Sequence, residues 1–188
     1  MQIYQYKDYD HYVESQIKTN KAKTGRVWVR FKTINLIYRK QPFVSSVICH
    51  GTRGGVEQRY FKTLYPYSQV IGTEISDNAT EYEMTVEWDF NKQNPNWVEK
   101  YDIVYSNSLD HSIDPVATLK TWSEQLSPHG RMYIEYSENM SHEGGSEGDP
   151  LDATNEEMIG LIKKAGMYIV DEINEDIREN GRIFICRR

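Results

Sequence analysis

From Phe43 to the C-terminus, short apolar runs alternate with stretches of helical period, and this alternation constrains the fold most. "FVSSVICH", "SQVIGTEIS", "YEMTVEWDF", "YDIVYSN" and "GRMYIEYS" are apolar runs bounded by turn residues, the pattern of buried strands. Between the first two, "GVEQRYFKTLYP" reads as a helix ended near Pro66. "DPVATLKTWSEQLSPHG" reads as an amphipathic helix, with Val116, Leu119, Trp122 and Leu126 at helical spacing and Pro128 to Gly130 closing it. "NEEMIGLIKKAGM" carries acids in its first turn and lysines in its last, which suits the helix dipole. "MYIVDEI" and "RIFICRR" are two final strands, joined by a polar link ending in "ENGR", a hairpin signal. A parallel crossover needs about a dozen residues or more, so this last pair is antiparallel. The remaining alternation gives an α/β chain with a mostly parallel sheet covered by helices on both faces.

Upstream of Phe43 the pattern breaks. "HYVESQIKTNKAK" can form a helix, and "RVWVRFKTINLIYRK" mixes apolar and basic residues as helix or irregular cover. Pro42 separates this segment from the first strand of the core. The chain of 188 residues is read as one domain, with residues 1–42 an N-terminal cover on a core of residues 43–188. Hydrophobic residues make up 38% and charged residues 27%, a globular composition. The formal net charge of -6 argues against nucleic acid as a partner, because such a face needs clustered cations to displace counterions. Basic residues between Lys18 and Lys40 leave a local patch open. Cys49 and Cys186 sit in apolar runs, as buried thiols of a reducing compartment would, and neither a disulfide framework nor a zinc-ligand spacing is visible. No metal is expected. No signal-peptide core and no apolar run long enough to span a bilayer is found, so a cytoplasmic protein with no membrane partner is expected.

The sequence "VICHGTRGGVEQRYF" (Val47 to Phe61) has the layout of a nucleotide-binding loop: strand, glycine-rich turn, helix start. Glu74 ends the second apolar run, 74 − 55 = 19 residues after Gly55, near the spacing of a ribose-binding acid in such folds. Asp89 in "VEWDF" ends the third run, and "YDIVYSNSLDHSIDP" and "LSPHGRMYIEYSE" come after it in order. On these motifs, over roughly Phe43 to Arg188, the chain resembles the class I S-adenosylmethionine-dependent methyltransferases. The version with His111 looks most like the type 11 small-molecule group. The resemblance implies a Rossmann-like, doubly wound, seven-stranded sheet with an antiparallel last strand. It also implies S-adenosylmethionine as cofactor, S-adenosylhomocysteine as product, and methyl transfer to a small-molecule acceptor by in-line displacement.

The resemblance also implies roles for single residues. Gly51 and Gly55 permit the tight turn, and the helix N-terminus favours an anionic group. Arg53 stands where a second glycine is usual; it either pairs with the methionine carboxylate or points to solvent. Cys49 stands where many members have an acid that helps hold the methionine amino group. His50 faces either the pocket or the helix layer. Glu74 would accept the ribose hydroxyls and Asp89 the adenine amino group. Trp88 and Phe90 either flank the adenine or fill core. Asn107 and Ser108 would lie near the methionine portion, and Asp102 reads as structural. His111 and Asp110 are the nearest candidates for chemistry, His111 as general base or as a bond within its loop. Glu135, Tyr136, His142 and the acidic loop with Glu143, Glu147 and Asp149 would overhang the acceptor, as a lid or as a solvated loop.

Two other classes remain open. A methyltransferase-like binding or regulatory protein without turnover is motivated by Cys49 and Arg53. A nicotinamide oxidoreductase fits poorly: "GTRGGV" is not G-x-G-x-x-G, and the Arg53 side chain would obstruct a pyrophosphate. The motifs of amino-group DNA methylases and the Pro-Cys of cytosine C5 enzymes are missing.

Overall fold

The computed structural model describes residues 1–138, 144–174, 177 and 181–188. After the short strand β1 (Gln2–Ile3) come helices α1 (Tyr9–Lys23) and α2 (Phe31–Lys40). The core then runs β2 (Ser46–His50), α3 (Val56–Leu64), β3 (Gln69–Glu74), β4 (Thr85–Glu87), β5 (Tyr101–Ser106), α4 (Pro115–Glu124) and β6 (Leu126–Ser137). It closes with β7 (Leu151–Asp152), α5 (Asn155–Lys164), β8 (Tyr168–Ile173) and β9 (Gly181–Arg187). The seven-stranded sheet has the order β4-β3-β2-β5-β6-β9-β8, and β1 pairs with β7 in a separate two-stranded sheet. Within the large sheet β9 runs against its neighbours, pairing antiparallel with both β6 and β8.

Period-two alternation explains the two-sided core. In β2, Ile48 faces the layer of α4 and α5 with Trp122, Leu119 and Met158, while Val47 and Cys49 face α2 and α3 with Ile34, Ile37 and Phe61. Every residue of β2 is buried, as a central parallel strand requires. Local sequence fixes the helix ends. Asp114 caps α4, accepting from Ala117 N–H at 3.0 Å, with Pro115 in the first turn. Thr154 and Glu157 form a reciprocal capping box on α5.

Two expectations are corrected. "YEMTVEWDF" yields only the three-residue β4, because Tyr82 to Met84 turn, with Met84 at a φ of +58°, and Trp88 to Lys92 fold back around Asp89. Leu126 does not end α4 but begins β6, pairing with Tyr101, and Pro128 to Gly130 lie within that strand. Gly130 is needed there: a Cβ would stand 2.6 Å from the Tyr101 carbonyl. The "RVWVRFKTINLIYRK" segment resolves into both readings at once, irregular to Arg30 and helical from Phe31. Most of the "ENGR" link lies outside the described residues.

The N-terminal segment crosses the carboxyl ends of β2, β3 and β5. Tyr4, Tyr6, Tyr9, Tyr12 and His11 pack in one aromatic cluster, mostly edge to face, which accounts for several of the 14 tyrosines.

Candidate functional site

β2 hydrogen-bonds β3 on one side and β5 on the other, so the strand order reverses at β2. Ligands in open α/β sheets bind in the crevice at the carboxyl ends of such strands. Two adjoining cavities lie here. The smaller, about 40 Å³, is lined by Tyr12, Gln16, Asn20, Glu74, Asp89 and Phe90 among others. The larger, about 270 Å³, is lined by Lys23, Trp28, Glu57, Asn107, Asp110 and Asp149 among others. Gly51, Arg53, Ser108 and His111 line both.

The loop after β2 is held by its own backbone and by Glu74. Gly51 and Gly55 adopt φ of +71° and +69°, where a side chain is strained. Arg53 also takes a positive φ, 43°, at the position where glycine is usual. The Arg53 N–H donates to Glu74 Oε2 at 2.8 Å, and Ile75 and Ser76 N–H donate to Oε1 at 3.0 and 3.3 Å. A carboxylate has about four lone-pair sites, so one site on Oε2 remains for a ligand donor. The Arg53 guanidinium donates to the Arg26 carbonyl at 3.3 Å and forms a wall between the cavities, so it does not simply point to solvent.

Asp89 Oδ1 accepts from Asn91 N–H and Nδ2 at 2.9 and 2.7 Å, and Oδ2 accepts from the Tyr9 hydroxyl. Phe90 serves both readings: it packs edge-on against Trp122 and lines the smaller cavity. Ser108 Oγ donates to the Gly51 carbonyl at 3.0 Å, and a Cβ on Gly51 would stand 2.6 Å from Ser108 Cβ. Asn107 Nδ2 donates to Glu57 Oε1 at 3.3 Å. Asp110 is almost fully buried beside His111, whose Nδ1 meets Gln16 Oε1 at 2.9 Å and whose Nε2 lies 3.5 Å from Asp149 Oδ1. Burial pushes the Asp110 carboxyl up from its ordinary range.

Several expected residues stand elsewhere. Cys49 faces the α2/α3 core, where burial raises its thiol pKa, so it takes no part in the cleft. His50 is a core histidine: Nδ1 meets Thr73 Oγ1 at 2.9 Å, Nε2 meets Gln125 Oε1 at 2.8 Å, and the ring stacks on Trp122. Burial pushes its pKa down to about 4. Asp102 ties β5 to its surroundings, accepting from Ser45 N–H and Ser127 Oγ. Glu135 and Tyr136 line neither cavity: Tyr105 donates to Glu135 Oε2 at 2.6 Å, and Tyr136 donates to the Ala153 carbonyl at 2.6 Å. Glu147 is a clamp on α1, accepting at its carbonyl from Tyr6 and Ser15 and at its carboxylate from His11. His142 and Glu143 lie outside the described residues.

Two site residues escaped the sequence. Glu57, in the first turn of α3, has the pattern of an ordinary dipole acid, but it is buried and lines the larger cavity, and burial pushes its pKa up to about 7. Asn20 lines the smaller cavity with both side-chain polar atoms buried and without a hydrogen-bond partner among the described residues. A polar residue on a weakly amphipathic helix carries no signal of either fact.

No protein-family model matches the chain, and no curated protein matches it in sequence. Solved structures do. A mitomycin 7-O-methyltransferase matches with a TM-score of 0.65 at 14% identity, over 77% of this chain and 49% of that one, so this chain spans about half of that enzyme. The Haloferax volcanii complex of the Trm112 methyltransferase activator with a methyltransferase matches with a TM-score of 0.65 at 16% identity, over 97% and 99% of the two chains. A Burkholderia thailandensis 1,6-didemethyltoxoflavin-N1-methyltransferase, solved with that substrate and S-adenosylhomocysteine, matches with a TM-score of 0.60 at 12% identity, over 94% and 80%. At these identities the likeness is one of fold. The chain has the fold of the class I S-adenosylmethionine-dependent methyltransferases.

Proposed function

We propose that the chain is a methyltransferase using S-adenosylmethionine, with a small molecule as acceptor. The observation that carries this reading is the pair of cavities meeting at the glycine loop, the smaller walled by Glu74 and Asp89 and the larger by titratable side chains. The residues present fit the cofactor. Glu74 keeps one acceptor site for a ribose hydroxyl, and the orphaned amide of Asn20 awaits polar partners. The Arg53 guanidinium at the junction suits the methionine carboxylate. Asp89 would exchange the Tyr9 hydroxyl for the adenine amino group.

When bound, the cofactor supplies an activated methyl group on a sulfonium, so the protein's task is alignment and proton management. Gly51, Asn107 and Ser108 shape the junction between the two halves. We assign the acceptor's proton to Glu57 rather than His111. Both ring nitrogens of His111 face partners, whereas Glu57 lines the cavity with a pKa near neutrality. Two neighbours named for small-molecule substrates support the acceptor class.

Calorimetry with S-adenosylhomocysteine tests the reading. Glu74→Ala should weaken binding by about 1–3 kcal/mol, the scale of a lost charged hydrogen bond. No binding by the wild type removes the methyltransferase reading. A binding or regulatory protein is the second reading, favoured by one observation: α1 leaves only about 40 Å³ in the smaller cavity. Cofactor binding with no transfer to any candidate acceptor selects it.

A further inference from the structure

Asp110, His111 and Asp149 each offer a ligand atom at the larger cavity, and these atoms all lie within 4.8 Å of one another. Proximity of acids alone is common and decides nothing. Two independent observations point further.

The first is Asp110 itself. Its residue is 3% exposed, and its Oδ1 is buried with no hydrogen-bond partner among the described residues. Leaving a buried carboxylate oxygen unpaired is strongly unfavourable, so such an atom needs a partner. The second is the tautomer of His111. Gln16 Nε2 lies within 3.3–3.4 Å of the Tyr6 hydroxyl and the carbonyls of Glu147 and Gly148, which fixes the amide with Oε1 toward His111. Oε1 can only accept, so His111 Nδ1 carries the proton. Nε2, the other ring nitrogen, is the one turned toward Asp149 Oδ1, 3.5 Å away and beyond the length of a charge-assisted hydrogen bond.

We propose that Asp110, His111 and Asp149 bind a first-row divalent transition-metal ion. Two carboxylates with one imidazole suit Mn²⁺ or Zn²⁺ better than Mg²⁺ or Ca²⁺, which favour oxygen alone. Ligand atoms about 2.1 Å from a cation lie at most about 4.2 Å apart, so closure from 4.8 Å needs a side-chain adjustment of under about 1 Å. Gln16 behaves as the outer partner that sets the ring of a metal-bound histidine. Lys23 meets Asp149 through Oδ2, at 3.5 Å, while Oδ1 is the oxygen toward His111. The sequence concealed this grouping, because Asp149 lies on a separate loop from the Asp110-His111 pair. If the chain is a methyltransferase, an oxygen of the acceptor completes the coordination and is made more acidic. That consequence rests on the proposed function, but the ion does not.

The test uses the full chain without cofactor, freed of metal by chelation and titrated with Mn²⁺ while free Mn²⁺ is read by electron paramagnetic resonance. One bound ion per chain is expected, displaced by Zn²⁺. Asp149→Asn and Asp110→Asn should each weaken binding at least tenfold, and Gln16→Ala by about 10- to 100-fold as for other outer partners. The surface control Asp77→Asn should leave binding unchanged. The proposal is overturned if the wild type binds neither ion, or if Asp149→Asn binds as the wild type does, or if Asp77→Asn weakens binding equally. Should Asp110→Asn fail to fold, Asp149→Asn decides alone. Calorimetry with S-adenosylhomocysteine is a separate measurement, so loss of either conclusion is seen independently.

Discussion

At the scale of single residues, Glu57 shows how burial converts an ordinary acid into a working one. Its carboxyl is pushed up to about 7 from an ordinary value of 4.5, by burial first, with the Asn107 bond pulling the other way. Between about pH 4.5 and 7 the unfolded chain has released this proton and the folded chain retains it. The group's contribution to stability is therefore fully present below about 4.5 and falls as pH rises towards 7, by roughly 3 kcal/mol at about 1.4 kcal/mol per pKa unit. His50 runs the other way: its pKa is depressed to about 4, so the folded chain loses stability as pH falls below about 6.5. The difference between wild type and Glu57→Gln removes the His50 contribution. Urea unfolding at about pH 5 and about pH 8 should show Glu57→Gln gaining on the wild type at the higher pH. On the proposed function, the same substitution should slow transfer to a protonated acceptor by about 10²–10⁴-fold. A flat stability difference and an unchanged rate would return Glu57 to the role of a packed polar group.

At the scale of elements, α1 decides access. Its residues Tyr9 and Tyr12 reach Asp89 and Asn91, Gln16 reaches His111, and Lys21 reaches Asp77. Asp89 therefore already has a donor from within the chain, and a ligand amino group must compete with it. Tyr9→Phe removes the competitor without changing the ring. S-adenosylhomocysteine should bind this variant about fivefold more tightly, for a hydrogen bond worth about 1 kcal/mol net. Weaker binding would mean that the Tyr9 hydroxyl holds Asp89 in place for the ligand instead of standing in for it. The helical character of α1 is local, resting on its own residues and on the Asp8 cap. Its place over the cleft is not, because that position depends on contacts with Asp89, Asn91, His111 and Gly148 far along the chain.

At the scale of the molecule, the two apolar layers share one sheet, and Trp122 ties its layer to the cleft. It is fully buried, its Nε1 donates to the Phe90 carbonyl at 3.0 Å, and its ring stacks on His50. Trp122→Ala should cost about 3–5 kcal/mol, read as a lower urea midpoint at unchanged slope. A cost under about 1 kcal/mol, well below the range for a buried aromatic, would mean that the α4 layer does not anchor the Phe90 wall.

The strand and helix runs after Phe43, the antiparallel last pair, and the acids Glu74 and Asp89 are legible in the sequence, because alternation, caps and turn chemistry act over a few residues. Leu126 reads as a helix residue on the same grounds yet starts a strand, since an apolar side chain at the right spacing serves either element equally well. The site is half legible. Gly51, Glu74, Asp89, Asn107 and Ser108 do gather at the switch point. Tertiary structure alone turned Cys49 and His50 into the core, buried Glu57, left Asn20 unpaired and brought Asp149 to Asp110 and His111. Burial and long-range pairing set the protonation and partners of polar groups, and neither is a property of a residue and its near neighbours.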